Sequence, residues 1–397
     1  MGTDAIPVDV LIVGSGPSGT STALHLVKSN PEWAGRVVIV DKAIHPREKL
    51  CGGGVTHIGQ NILAQLGLPF EPPNFEVKEV RLLYEKHTYS FHGNPVFRII
   101  RRDEFDHWLV KTAEALGVQV RQGEAVKKIT PLDDYVEVVT EQATFHAKVL
   151  VGADGSRSFV RRTLKWDDDS RVARLIEVLT PENVNTQAEF RDGVAIFDFT
   201  RMTGEGLQGY YWDFPSFVDG KPFMNRGVFD SRARPERSKA DLKKTLGDSM
   251  AERGRHLPDY KLKGHPIRWW GPEGRFAMPR VILVGDAAGT DPLFGEGISF
   301  ALGYGPPATE AINDAFARND FSFDSYKEIV KRDPLFKQLD IRTRLARFAY
   351  VLRHPRFIRW GWRAARWVVK FTAWRDPNYV PGETPDILLM DLVHSTS

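Results

Sequence analysis

The hexapeptide Gly14-Ser15-Gly16-Pro17-Ser18-Gly19 follows a largely apolar run, Val8 to Val13, and opens into Thr20-Ser21-Thr22-Ala23-Leu24-His25-Leu26. Strand, glycine turn and helix therefore arrive in the order that a dinucleotide fold requires. Gly14 permits the tight turn, Gly16 leaves room for a pyrophosphate against the backbone, and Gly19 lets helix and strand pack closely. Pro17 and Ser18 complete a loop whose free N–H groups, with the helix dipole, suit phosphate. A second strand, Arg36 to Val40, ends in Asp41, 22 positions beyond Gly19, where an acid can take the hydroxyls of a ribose. Lys42 stands beside it in the candidate site. A Gly-x-Gly-x-x-Gly pattern alone also occurs in glycine turns that bind nothing. With both strands, the helix and the terminal acid present, it specifies a nucleotide fold.

The 397 residues, 42% of them hydrophobic, suffice for two or three domains with separate cores. The single cysteine, Cys51, excludes an intramolecular disulfide and fits a reducing compartment. No basic and apolar leader precedes the first strand, and no uninterrupted apolar run reaches 18 residues. A cytoplasmic protein without signal peptide or membrane-crossing helix is expected. The formal net charge is +3, yet Phe336 to Arg375 holds eleven Lys or Arg against one acid, Asp340, a local +10 that leaves about −7 for the rest. The basic character is local and calls for a local explanation.

Downstream of Asp41, His45 to Thr56 contains Cys51-Gly52-Gly53-Gly54. Consecutive glycines let backbone lie flat against a planar ring. Cys51 is then either a small buried residue or a neighbour of a cofactor ring. Strand-like stretches at Val80–Tyr84 and His87–Phe91 precede an expected turn at Gly93-Asn94-Pro95. Phe105, Leu109, Ala113 and Leu116 recur at helical spacing before Gly117. Arg102, at the entry to that helix, is either a surface arginine or a flavin contact. Short strands follow, among them one opening with Ala125 and Val126, and the last leads into Gly152-Ala153-Asp154-Gly155. From Arg171 to Trp270 strand-length pieces alternate with turns, with a helix expected over Lys239–Arg253. Arg280 to Val284 then returns to nucleotide-fold texture and runs into Gly285-Asp286. The expected fold is mixed α/β. A Rossmann-like nucleotide domain (1–75, 98–170 and 271–330) receives an inserted antiparallel sheet domain (76–97 and 171–270), and C-terminal helices follow over 331–397.

The set GSGPSG, GADGSRS and Gly285-Asp286-Ala287-Ala288-Gly289, with Pro292 and Gly295-Glu296-Gly297-Ile298, resembles flavoproteins of the aromatic-hydroxylase fold over most of residues 8–310. The resemblance implies FAD. Gly14, Gly16 and Gly19 would hold the ADP pyrophosphate, Asp154 and Gly155 would lie near cofactor and reductant, and Asp286 would hold the ribityl chain. The backbone from Gly295 to Gly297 can face the pyrimidine edge of the flavin. Lys49-Leu50-Cys51-Gly52-Gly53-Gly54 and Tyr210-Tyr211-Trp212-Asp213-Phe214-Pro215 resemble the geranylgeranyl reductase branch, whose pattern is Tyr-x-Trp-x-Phe-Pro. Halogenases carry Trp-x-Trp-x-Ile-Pro, from which this chain departs at the first and fifth places. It departs from the reductases too, because only Gly227 remains of their usual Gly-x-Gly. The resemblance implies saturation of isoprenoid double bonds in a prenyl-lipid substrate, with NADPH or a reduced electron carrier as donor. No second dinucleotide fingerprint decides between these donors.

An isolated alkene lacks a carbonyl to polarise it, so hydride transfer must be matched by a proton in a water-poor pocket. Cys51, Tyr210 and Tyr211 are the candidate donors, with Trp212 beside them. Tyr210, Trp212, Phe214 and Pro215 are the candidate substrate walls, or else ordinary sheet core. An FAD-dependent monooxygenase or halogenase, and a flavin-containing prenyl-lipid binding protein, are the alternatives.

Near the C-terminus, Phe357, Trp360, Ala364, Trp367 and Phe371 form one helical stripe, and Arg359, Arg363, Arg366 and Lys370 form the next. Such a helix either lies on an anionic membrane surface, through residues 336–375, or packs its aromatic face on the nucleotide domain. No nucleic-acid module is visible.

Overall fold

A computed structural model describes residues 5–166, 171–351, 356–357 and 360–361. Most of the C-terminal aromatic and basic stripe lies outside the described residues. Two eight-stranded sheets carry the fold. The first runs in the order Ala277–Met278, Val281–Leu283, Thr144–Gly152, Ile6–Val13, Val37–Asp41, Gln119–Gln122, with Val126–Pro131 and Val136–Thr140 as an antiparallel appendage. Its central pairs are parallel, with Val13 opposite Gly152 and Val10 opposite Val37. Continuous Val and Ile runs suit such strands, which are covered on both faces. Val10, Leu11, Ile12, Ile39 and Val40 are fully buried. Helices Pro17–Ser29, Ile298–Gly303 and Gly305–Arg318 contact one another beside this sheet.

Four parallel strands thus end together, and each is followed at once by one of the glycine or acid motifs. The motifs are Gly14 after Val13, Lys42 after Asp41, Ala153-Asp154-Gly155 after Gly152, and Gly285-Asp286 just beyond Leu283. Ligands bind at the carboxyl ends of strands in such sheets because backbone groups and helix N-termini converge there.

The second sheet has the order Lys263–Arg268, Val172–Pro181, Lys221–Asp230, Gly209–Val218, Val194–Asp198, Asn74–Tyr84, His87–Ile100, Gly54–Val55. Strands Asn74–Tyr84 and His87–Ile100 overrun the expected limits of 76 and 97, and Gly54–Val55 joins this sheet from within the nucleotide segment. The expected turn at Gly93-Asn94-Pro95 is instead a bulge inside His87–Ile100. Glu79 pairs with His92 and Val77 with Phe97, so five steps on one strand face two on the other. Proline has no N–H for the ladder, and a bulge accommodates it without ending the strand. The chain reverses at Glu85 and Lys86 instead. The expected helix over Lys239–Arg253 is the shorter Leu242–Ala251, whose start is set by Asp241 accepting from the Lys244 N–H at 3.0 Å.

Period-two alternation divides the Gly209–Val218 strand. Tyr210, Trp212 and Phe214 pack in one apolar cluster, while Tyr211 packs in another, with Val178, Leu246 and Met250. The Tyr211 hydroxyl donates to Asp213 Oδ1 at 2.6 Å, and Asp213 is ion-paired with the buried Arg226, which also holds Glu182 at 2.9 Å. Tyr211 is therefore corrected from proton donor to part of a buried ionic cluster behind the sheet.

Gly227 stands opposite Trp212 in the ladder. A β-carbon there would lie 2.2 Å from Trp212 Cζ2 and 2.6 Å from the Ile176 carbonyl oxygen. Gly227→Ala is expected to destabilise the fold by about 1–3 kcal/mol through overpacking, seen in calorimetry as a Tm lower by a few degrees. An unchanged Tm would mean that the indole moves aside without cost.

Candidate functional site

Between the carboxyl edge of the first sheet and the aromatic face of the second lies a cavity of about 710 Å³, within the range of small-molecule and cofactor sites. Gly14 forms one end of it with φ at +110°, and a β-carbon there would sit 2.4 Å from the Ala153 carbonyl oxygen. Over Gly16 a β-carbon would find no clash. The atoms nearest to where its β-carbon would stand are guanidinium nitrogens of Arg47 at 3.7 Å and Arg102 at 4.0 Å. An open glycine, the start of the helix Pro17–Ser29 and two guanidinium groups fit a pyrophosphate. Arg102 is the first residue of helix Arg102–Ala115 and is held bidentately by the buried Asp106 at 2.7 and 2.8 Å.

Asp41 spends much of its carboxylate on the loop itself. Oδ2 accepts from the Ser15 N–H at 2.8 Å and the Ser15 hydroxyl at 2.7 Å, and Oδ1 accepts from the Ala43 N–H at 2.8 Å. Burial pushes its pKa up, but these donors outweigh burial and hold the group below the usual carboxylate range. Lys42, Ala125 and Val126 line the same end. So does Glu124, whose N–H donates to the Asp41 carbonyl at 2.8 Å and which sequence reasoning missed. Asp154 lines the wall, and its Oδ2 accepts from the Phe159 and Val160 N–H groups at 2.5 and 3.0 Å. Burial nevertheless raises its pKa.

At the middle of the cavity, Asp286 Oδ1 accepts from the Thr290 hydroxyl at 3.2 Å. The backbone of Gly295-Glu296-Gly297-Ile298 passes beside it. Glu296 is fixed from both sides, by the Thr56 hydroxyl at 2.5 Å and by Arg342 at 2.7 Å. Arg342 also pairs with the buried Asp291 at 2.7 Å and so ties helix Pro334–Ala349 to this loop. Neither Arg342 nor Asp291 carried a local signal in the sequence.

The Cys51 loop crosses the far end. The Cys51 N–H donates to Glu177 Oε1 at 3.1 Å, its carbonyl accepts from Asn225 Nδ2 at 3.1 Å, and Asn225 Oδ1 accepts from the Trp212 indole at 2.8 Å. Gly52 lies against the Phe214 ring, and Gly53, with φ at +82°, closes on the Ile100 carbonyl. Burial pushes the Cys51 thiol up, against the pull of the Arg102 charge, so it carries its proton near neutral pH. Lys49 and His265, also missed, meet in the wall at 3.0 Å. Burial lowers both, His265 to about 4.

Of the residues selected from sequence, Gly14, Gly16, Pro17, Ser18, Asp41, Lys42, Cys51, Gly52, Gly53, Gly54, Arg102, Ala125, Val126, Asp154, Gly155, Asp286, Gly295, Glu296, Gly297, Ile298, Tyr210, Trp212 and Phe214 line one cavity. Gly19 and Gly285 stand behind the wall. Their β-carbons would meet the Gly14 carbonyl oxygen at 2.0 Å and Ser18 Oγ at 2.4 Å. Tyr211, Pro215 and Pro292 do not line it. Tyr211 and Pro215 alternate away from the strand positions that face the cavity. Pro292 is buried against the second sheet, where its carbonyl accepts from the Ser231 hydroxyl at 2.6 Å.

Residues 7–198 match the model of a family described as an FAD binding domain. Digeranylgeranylglycerophospholipid reductase 2 of Methanosphaera stadtmanae is 26% identical over 346 residues, covering 82% of this chain and 82% of that protein. A geranylgeranyl bacteriochlorophyll reductase-like protein from Thermoplasma acidophilum has the same fold, with a TM-score of 0.73 and 22% identity over 89% of this chain and 90% of its own. A variant of the halogenase PltM in complex with FAD follows, with a TM-score of 0.66 and 18% identity over 86% of this chain and 76% of its own.

Two substitutions probe the cradle. Gly14→Val, which forces a side chain into the Ala153 backbone, is expected to abolish FAD retention. Asp286→Ala, which removes one charged acceptor, is expected to weaken FAD about ten- to a hundredfold. Flavin absorbance after gel filtration and titration of stripped protein check both. Wild-type protein that takes up no FAD would overturn the assignment.

Proposed function

We propose that the chain acts as an FAD-dependent oxidoreductase of the geranylgeranyl reductase type and saturates carbon–carbon double bonds of a geranylgeranyl-type lipid, with NADPH or a reduced electron carrier as donor. The observation that carries this reading is the continuity of one cavity from the glycine cradle to an aromatic end walled by Tyr210, Trp212, Phe214, Phe97, Phe197 and Phe229, with a single thiol at the boundary. Aromatic faces pack well on the methyl branches of a prenyl chain and exclude water from it. Gly14, Gly16, Arg47 and Arg102 would hold the pyrophosphate of FAD, Asp286 the ribityl chain, and the Gly295–Gly297 backbone the ring edge. Reduced FAD, when bound, supplies the hydride.

The chain's own residues supply position and the proton. Trp212 and Phe214 form the wall against which the alkene rests, and the Cys51 loop closes the site toward the second sheet. The Tyr210 hydroxyl is committed to the Phe294 carbonyl, and burial raises its pKa well above that of an ordinary phenol. Cys51 is the better donor. Its S–H bond breaks as a C–H bond forms on the alkene carbon that does not receive hydride, and the thiolate left behind faces Arg102. A proton from water restores the thiol after product leaves.

Anaerobic turnover with a prenyl substrate, followed by mass spectrometry, tests the reading. Product heavier by two hydrogens per reduced bond is expected, and oxygen or halide in the product would overturn it. Cys51→Ala is expected to retain flavin and to lose alkene reduction about a hundredfold. Trp212→Ala is expected to retain flavin with a similar loss, through a raised KM as well as a lower kcat. Unchanged turnover in both variants would remove these residues from the reaction.

We propose peripheral contact with an anionic membrane as the route of the lipid to the cavity. No helix among the described residues is long and apolar enough to cross a membrane. Leu345, Phe348, Val351, Phe357 and Trp360 are nonetheless exposed, Phe348 to 65% and Trp360 to 70%, among the exposed Arg344, Arg347 and Arg356. Apolar side chains between arginines suit a headgroup layer. Each arginine contributes about 1 kcal/mol near an anionic surface, so Arg344→Gln with Arg347→Gln is expected to weaken binding to anionic liposomes roughly thirtyfold. Co-sedimentation in low and high salt measures this, and equal binding by wild type and double variant would exclude the contact.

A further inference from the structure

Glu177 touches Cys51 itself through an ionisable group without lining the cavity. It sits in the run Leu175-Ile176-Glu177-Val178-Leu179, a lone acid in the middle of an apolar strand. Alternation turns Ile176 and Val178 to the apolar cluster behind the sheet. Leu175 and Glu177 face the cavity side, where Leu175 reaches the cavity and Glu177 lies behind the loop. Across the ladder, Glu177 stands opposite Gly227, and Gly227 opposite Trp212. The missing side chain at Gly227 lets the indole lie toward the carboxylate and leaves room for the Cys51 backbone between them. Four residues then close a chain of contacts: the Trp212 indole donates to Asn225, Asn225 donates to the Cys51 carbonyl, and the Cys51 N–H donates to Glu177.

We propose that Glu177 is the positioning residue for Cys51, anchoring the backbone of the loop that carries the thiol and setting a carboxylate charge beside it. The proposal rests on the reading of Cys51 as proton donor. Geometry supplies the anchor: one oxygen of a carboxylate 6% exposed accepts the Cys51 N–H, and a buried acid is retained at such a place only when it is bonded to what it holds. Oε2 has no donor at normal geometry among the described residues, with the Asn225 amide alongside. Burial raises Glu177 to about 7, against the Cys51 N–H, Asn225 and the more distant charge of Arg101. Of the flanking strands, Lys263 is in register with Glu177 but pairs with Glu48 at the rim, and Gly227 brings no charge. Burial raises the pKa of the thiol most, Arg102 lowers it, and the Glu177 charge adds to the rise. Ionised Glu177 therefore makes the thiol a weaker acid, and as pH rises through the Glu177 range the thiol holds its proton more firmly.

Cys51 is the single cysteine of the chain, so its S–H stretching band in the Raman or infrared spectrum of the flavin-loaded protein reports this thiol alone and needs no reagent access. Glu177→Gln keeps an oxygen for the Cys51 N–H and removes the charge. The variant is expected to hold flavin as wild type does and to lose the S–H band about one pH unit earlier, so that thiolate at pH 8 rises on the order of tenfold. Glu177→Asp, which keeps the charge but draws it back, is expected to fall between. Glu177→Leu, which removes the anchor, is expected to broaden the band as the loop loses its fixed position. Coincident S–H titrations of wild type and Glu177→Gln overturn the proposal, as does a Glu177→Asp titration at or below that of Glu177→Gln. Because the titration requires no substrate, it stands apart from the turnover test: unchanged turnover in Cys51→Ala removes the proton donor but leaves the coupling between carboxylate and thiol standing.

Discussion

The Ala153 carbonyl oxygen lies 2.4 Å from where a β-carbon on Gly14 would stand, and the Gly14 carbonyl oxygen lies 2.0 Å from the corresponding point on Gly19. These two approaches, closer than any side chain permits, bring the ends of two parallel strands and the start of one helix to a single place. The site depends on that packing. With the strands in register, Asp41, Asp154 and Asp286 all arrive at the same cavity from the ends of three of the four strands. Arg47 and Arg102 stand over Gly16, where a β-carbon would meet nothing closer than 3.7 Å.

A second close approach does for the aromatic end of the cavity what the glycine loop does for the other end. Gly227 yields its side-chain volume to Trp212. The indole then reaches Asn225 and, through it, the Cys51 loop, so a wall residue and a thiol from distant parts of the chain share one hydrogen-bonded frame. Behind this face the sheet is braced by Arg226 with Glu182 and Asp213, and by Arg253 with Asp213 and Asp198. Buried pairs of this kind add little net stability but cost several kcal/mol when one partner is lost. Their effect here is to hold the Tyr211 side of the strand in place while the Tyr210 side faces the cavity. The Arg342 contacts to Asp291 and Glu296 extend the same logic to helix Pro334–Ala349, which becomes a support of the Gly295–Gly297 loop.

Much of this is legible in the sequence. The glycine spacing, the acid after the second strand and the later Asp-Gly and Gly-Asp elements are local patterns, because a tight turn at a strand end makes its demands within a few residues. The Tyr-x-Trp-x-Phe alternation was equally plain, and applied strictly it would have turned Tyr211 away from the cavity. The bulge at Gly93-Asn94-Pro95 was misread as a turn because those residues favour both, and only the partner strand, continuing straight past it, decides between them. Lone acids inside apolar runs, such as Glu177 in Leu175–Leu179, were available signals that went unread.

By itself the sequence determined a dinucleotide cradle, a flavin-type succession of motifs, an aromatic strand and a single thiol next to three glycines, all features whose physics is contained in short stretches. Only the tertiary structure decided which of them meet. Glu177, Asn225, Trp212 and Cys51 come from four separate segments, Arg342 reaches Glu296 from a helix 46 positions away, and Lys49 finds His265 across 216. Long-range partners of this kind are set by sheet register and side-chain direction, and no local pattern of residues encodes either.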